Sequence, residues 1–166
     1  MDREHIEIRR LTPKDAFRLS RLLLSAPPEY SQFFTPFNFD RKHIQGILAR
    51  ACRDLYYGVF VEKTLAGFYM LRGLDQGFKI PSYGVWISPS CSRRGLATLT
   101  LAHALAVCKM NDIAVVMLKV HPQNTAAKAL YERFGFIQIG VDPANQSLVF
   151  EKKFLSGSQR SCHERK

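Results

Sequence analysis

The spacing of apolar and polar residues changes several times along the chain, and each change predicts an element. Residues Glu7 to Arg10 alternate as a first strand. Thr12-Pro13-Lys14-Asp15 then opens a helix: Thr12 can cap, Pro13 suits the first helical position and Asp15 favours the positive end. Ala16, Leu19, Leu22 and Leu23 share one apolar face, and Ala26-Pro27-Pro28 stops the helix. An aromatic loop follows from Glu29 to Asn38, carrying Tyr30, Phe33, Phe34 and Phe37. Asp40 can cap a second helix whose Ile44, Ile47, Leu48 and Ala51 lie on one side.

Two strand-like runs, Tyr56 to Val61 and Ala66 to Leu71, flank Glu62-Lys63-Thr64 and predict a hairpin. A turn-rich stretch through Gly73 and Gly77 leads to a strand from about Tyr83 to Ser88. Pro89 to Arg94 is a polar loop, and Gly95 begins a long helix reaching about Met110. Ala114 to Val120 is β-branched and nearly all apolar, which predicts a strand buried on both faces. Asn124 opens another helix with Ala127, Leu130, Tyr131 and Phe134 at helical spacing, and Gly135 suits a left-handed stop. Phe136 to Ile139 and Ser147 to Phe154 complete an α/β domain with a mixed sheet over residues 1–155. Residues 156–166 have little to bury and predict a basic, disordered tail.

At 166 residues with 46% hydrophobic content, the chain fits one domain with a real core. No apolar run approaches the roughly 20 residues of a membrane span, and the charged start lacks a signal-peptide core. A cytoplasmic location and no membrane partner are the resulting expectations. Cys52, Cys91, Cys108 and Cys162 form no Cys-x-x-Cys pair, which argues against zinc or a disulfide framework. No metal is expected, and Cys52 and Cys108 read as structural thiols. The net charge of +10 suits an anionic partner. No basic run is interleaved with aromatics, so nucleic acid is disfavoured and an anionic cofactor is preferred.

The sharpest local signal is Ile87-Ser88-Pro89-Ser90-Cys91-Ser92-Arg93-Arg94-Gly95-Leu96-Ala97-Thr98. A strand ends, a loop turns, and a helix begins at a glycine. The first helical turn offers unpaired N–H groups and partial positive charge, to which a diphosphate can bind. No Gly-Lys-Ser/Thr follows, so this is not a P-loop. Lys119 stands near where a dinucleotide site would carry a ribose-binding acid.

This segment resembles motif A of the GNAT acetyltransferases, usually Gln/Arg-x-x-Gly-x-Gly/Ala. The run from Val120 to Phe136 resembles the family's second signature, an Asn followed two turns later by Tyr and then Gly-Phe. The resemblance spans about Ile6 to Phe154 and is sharp from Val85 to Phe136. It implies a GNAT-like fold: a mixed, mostly antiparallel central sheet flanked by about four helices. It also implies acetyl-CoA as cofactor and transfer of its acetyl group to a primary amine by direct attack. Backbone groups near Val85 and Ile87 would hold the pantetheine arm. The amides of Arg93, Arg94, Gly95, Leu96, Ala97 and Thr98 would hold the pyrophosphate. Asn124 and Ala127 would line the cofactor, and Tyr131 would protonate the departing thiolate.

Two departures from the family pattern matter. Ser92 replaces the usual Gln or Arg. Lys119, in Leu118-Lys119-Val120, replaces the Glu that some protein N-terminal acetyltransferases carry. No general base can therefore be carried over; Glu29, Asp75 and Tyr83 are candidates, and His121 could approach the acceptor end. Glu29, Tyr30, Phe33, Phe34 and Tyr83 are expected around the acceptor. The absent acid at Lys119 tilts the expected partner toward a small-molecule amine such as an amino sugar. A protein or peptide N-terminus or lysine is the alternative, and a non-catalytic acyl-CoA sensor the competing class. A homodimer is left open.

Overall fold

The computed structural model describes residues 4–155, so the expected tail and Cys162 lie outside the described residues. Seven strands form one sheet: β1 (Ile6–Arg10), β2 (Leu55–Val61), β3 (Thr64–Arg72), β4 (Ser82–Ile87), β5 (Val115–Val120), β6 (Ile137–Val141) and β7 (Leu148–Lys153). Their order is β1-β2-β3-β4-β5-β7-β6. Only β4 and β5 run parallel, and every other neighbouring pair is antiparallel. The helices are α1 (Ala16–Leu24), a single turn α2 (Pro28–Ser31), α3 (Arg41–Arg50), α4 (Leu96–Met110) and α5 (Thr125–Arg133). This is the mixed, mostly antiparallel sheet with flanking helices that the GNAT resemblance implied.

Strand periodicity divides the core between the two faces of the sheet. Tyr69, Leu71, Tyr83, Val116, Leu118 and Phe150 pack on one face against Leu101, Ala104 and Cys108 of α4 and Tyr131 of α5. Phe68, Met70 and Trp86 pack on the other face with Leu19 and Leu23 of α1 and Ile44 and Leu48 of α3. Burial pushes the Cys108 thiol up to about 12, as suits a structural thiol; Cys52 is exposed, against expectation. The apolar faces of α1 and α3 meet here, and Asp40 caps α3, accepting from Lys42 and His43 N–H at 2.9 and 3.2 Å.

The second helical layer stops short of β5, and this corrects one expectation. Val116, Leu118 and Val120 are buried, whereas Met117 is half-buried and Lys119 exposed. Strand β5 is covered on the α4 side alone, so an open stretch of sheet remains beside β4.

Thr12 takes the N-cap position as expected, in a capping box with Asp15. Its N–H and hydroxyl both donate to the Asp15 carboxylate, at 2.9 and 3.2 Å, within a 3-10 turn (Pro13–Asp15) that leads into α1. Arg9 of β1 adds two donors to the same carboxylate at 2.8 and 3.0 Å. The Arg9 hydrogen bonds outweigh desolvation, and Thr12 helps, so Asp15 falls to about 2. A depressed carboxylate contributes stability that is complete above its unfolded value, near 4, and lost as pH falls through 2. Asp15→Asn is expected to cost about 1–2 kcal/mol at pH 7, Arg9 being partly solvated, and to flatten the stability change between pH 4 and 2. Urea melts across that range check both.

Candidate active site

The parallel ladder between β4 and β5 consists of Ser82 with Met117 and Tyr83 with Leu118, and then stops. Beyond that rung the two strands separate, leaving Gly84–Ile87 and Lys119–Val120 without partners across the gap. Strand edges opened in this way present backbone donors and acceptors to any extended group laid between them.

The loop leaving β4 is set by its own residues. A 3-10 turn at Pro89–Cys91 is closed by Ser92 Oγ, which donates to the Pro89 carbonyl at 2.8 Å. Ser92 thus has a structural task where the family more often carries Gln or Arg. Arg93 and Gly95 both take left-handed conformations, at φ 60° and 79°. Leu99 N–H reaches the Gly95 carbonyl at 3.0 Å, so the amides of Leu96, Ala97 and Thr98 have no acceptor within the helix. The first turn of α4 carries no acidic side chain. Free amides, the helix dipole and Arg93 together make a site for an anion.

From this loop a cavity of about 380 Å³ runs past the strand gap to α5. Its walls include Val85, Ile87, Arg93, Gly95, Leu96, Ala97, Thr98, Asn124, Ala127 and Tyr131. The Arg94 side chain does not line this cavity, and its guanidinium pairs with the Glu4 carboxylate. The remaining walls fit an acyl-coenzyme A: amides at one end for its pyrophosphate, open strand edges for its amide-bearing arm, and apolar Ala127 and Leu130 alongside. Gly95→Ala should weaken acetyl-CoA binding about tenfold, because a left-handed residue with a Cβ costs about 1–2 kcal/mol and relaxing it turns the amides away. Calorimetry with acetyl-CoA reads the change.

Asn124 and Tyr131 reach the cavity from α5. Asn124 Oδ1 caps that helix by accepting from Ala127 N–H at 3.2 Å, and Gly135, at φ 82°, ends it as expected. The Tyr131 ring stands edge-on to Tyr83 and Phe136, with centroids 6.4 and 5.9 Å away. Its hydroxyl makes no hydrogen bond among the described residues, and burial pushes its pKa up to about 12. A phenol so placed stays protonated across the working pH range.

Across the gap, on the opposite face, lies a second cavity of about 520 Å³. Phe33 and Phe34 line it with Gly84, Lys119, His121, Asn145 and Ser147. Phe33 stacks on His121 at 4.0 Å. Lys119 Nζ grips Asp142 at 2.7 Å and so ties β5 to the turn that supplies Asn145 and Ser147. Gly84 keeps the floor low, since a Cβ there would sit 2.6 Å from Met70 Cε.

Other expected acceptor residues are placed differently. Tyr30 belongs to the first cavity, its hydroxyl donating to the Ile87 carbonyl and its ring edge-on to Trp86 at 5.7 Å. Tyr83 borders the second cavity, yet its side chain packs toward α4 and its hydroxyl meets Thr100 at 3.5 Å. Glu29 is exposed on α2 and lines neither cavity. The Asp75 carboxylate accepts from the Cys52, Arg53 and Asp54 amides, away from both. Neither carboxylate lines either cavity. His103 of α4 pairs its Nδ1 with the Tyr69 hydroxyl at 2.8 Å. Among the described residues no cluster of three or more potential ligands could hold a metal ion, and no helix is long and apolar enough to cross a membrane.

Comparison with known proteins agrees with this geometry. The family model of the "Acetyltransferase (GNAT) family" matches residues 19–136. A Bacillus subtilis (strain 168) protein named "Putative ribosomal N-acetyltransferase YdaF" is 29% identical over 150 residues, covering 82% of this chain and 80% of its own. The PaiA N-acetyltransferase of Thermoplasma acidophilum, solved in complex with coenzyme A, superposes with a TM-score of 0.75 at 20% identity, covering 90% of this chain and 99% of that one. A ribosomal-protein alanine N-acetyltransferase of Escherichia coli gives 0.67 at 18% identity, covering 89% and 91%.

Proposed function

The chain belongs to the GNAT family of acetyltransferases and uses acetyl-CoA, and from that premise we propose that its acceptor is the α-amino group of a polypeptide N-terminus. The observation that carries the acceptor is the absence of a base beside an open trough. Among the described residues no Asp or Glu lines the acceptor cavity. Gln123 N–H donates to His121 Nδ1 at 3.2 Å, so the neutral ring keeps its proton on Nε2 and has no lone pair left to take one from the amine. An amine must then arrive already neutral. An α-amine, with a pKa near 8, does so at neutral pH far more often than a lysine side chain at about 10.4.

The expectation of a small-molecule amine rests on Lys119 standing where some protein acetyltransferases carry Glu. In the structure Lys119 holds the Asp142 turn, so its identity says nothing against a polypeptide. The names of the ribosomal relatives support a protein acceptor as well.

Bound acetyl-CoA supplies the acetyl thioester. Amides of Leu96, Ala97 and Thr98, with Arg93, bind its anionic end, and the open edge at Val85 and Ile87 orients its arm through the gap. Tyr131 holds a proton at Oη for the departing sulfur, and Phe33 and His121 wall the amine.

Two measurements test the acceptor. In a thiol-release screen, peptides with free N-termini should turn over, while N-blocked peptides, polyamines and amino sugars should not. With a free-terminus peptide, kcat/KM should rise about tenfold per pH unit below the amine pKa, near 8, and level above it. Turnover of amino sugars alone, or a flat profile from pH 6 to 9, overturns the reading.

A further inference from the structure

The acceptor cavity does not end at Gly84. It shares Pro36, Met70, Ser82 and Lys119 with a neighbouring cavity of about 570 Å³, bounded outside by Gln76 and Phe78 of the β3–β4 connection. The two form one trough along the open face of β3, β4 and β5. Its floor is ordered by sheet register: Met70 pairs with Gly84 in one rung, and Arg72 with Ser82, then Met117, in the next. Rungs on one face are about 6.8 Å apart, so an extended chain entering at the strand gap carries its second or third residue over Arg72.

Charge is uneven along that path. Lys119 lines both cavities and Arg72 the outer one, and among the described residues no Asp or Glu accompanies them. Lys119 is neutralised by Asp142. Arg72 forms no ion pair among the described residues. Its Nη1 donates to the Pro36 carbonyl at 2.6 Å, and its guanidinium lies 5.5 Å from the Phe37 ring centre, which fix its position. A half-buried guanidinium held in place, with donors to spare, matches a carboxylate.

We propose that Arg72 is a specificity-determining residue that reads an acidic side chain at the second or third position of the incoming polypeptide. This rests on the N-terminal reading above and adds the substrate class: acidic N-termini. Phe78, 62% exposed at the trough's outer wall, gives the same segment an apolar surface to lie against.

The test uses the whole chain and free-terminus hexapeptides differing only in Asp, Asn or Lys at residue two or three. At one of these positions kcat/KM should favour Asp over Lys by at least about tenfold, the ratio shrinking as salt rises. Arg72→Gln should cut the ratio below about threefold while turnover of the Asn peptide persists, and Arg72→Lys should keep part of it. Because each ratio is taken within one protein, any loss of folded fraction cancels. Equal rates for all three peptides, or an unchanged ratio in Arg72→Gln, overturn the acidic preference alone. Failure of every peptide beside turnover of small amines overturns the N-terminal reading and this inference with it.

Discussion

Replacing Tyr131 with phenylalanine should lower kcat about 100-fold while leaving the acetyl-CoA Kd within about twofold. The ring is held by Tyr83 and Phe136, contacts that phenylalanine keeps. The hydroxyl has no hydrogen bond among the described residues to lose, so folding should change little. What disappears is a proton donor in the cavity wall beside the strand gap. Burial holds that donor protonated up to about pH 12, above the ordinary phenol range near 10. The wild-type rate should therefore show no alkaline fall between pH 9 and 10.5. Single-turnover kinetics separate the transfer step from binding. A kcat within threefold of wild type would remove Tyr131 from the chemistry.

Gly67→Val should be the most damaging substitution to the fold, costing about 3 kcal/mol and lowering Tm by roughly 6–12 °C. Gly67 pairs with Ile87 at the end of β4. A Cβ there would lie 2.6 Å from the Trp86 carbonyl oxygen and 3.1 Å from Ile87 Cα, both backbone atoms of a paired strand. Neither can swing aside, so β4 must move. Ile87 also accepts the Tyr30 hydroxyl and lines the cofactor cavity. Acetyl-CoA affinity should consequently fall with stability. Thermal melts with and without the cofactor read both effects, and a Tm within 2 °C of wild type would show that the strands can spread at no cost.

The two halves of the site differ in how far the sequence discloses them. The loop from Arg93 to Thr98, Asn124 and Tyr131 is legible because local rules determine it: a glycine at positive φ, unpaired first-turn amides, and a capping Asn seven residues before a Tyr on the same helix. The acceptor trough obeys no local rule. Arg72, Ser82 and Met117 become neighbours through the register of three strands. Periodicity alone shows alternation, and cannot say which face a helix covers. The expected two-sided burial of Ala114 to Val120 fails for that reason, since α1 and α3 stop before β5.

Lys119 shows the same limit at a single residue. In sequence it is a missing acid. In the fold it meets Asp142, 23 residues away, and becomes the clasp of the acceptor wall. Tyr30 likewise finds the Ile87 carbonyl across 57 residues. Long-range partners decide such residues, and no short window contains them.

The most direct measurement is mass-spectrometric localisation of the acetyl group on a peptide carrying a free α-amine, an acidic second residue and an internal lysine. Incubated with the enzyme and acetyl-CoA, the peptide should gain a single acetyl group on the α-amine, with its lysine untouched. Acetylation of the lysine side chain, or an unmodified peptide beside a fully acetylated amino sugar, would contradict transfer to polypeptide N-termini.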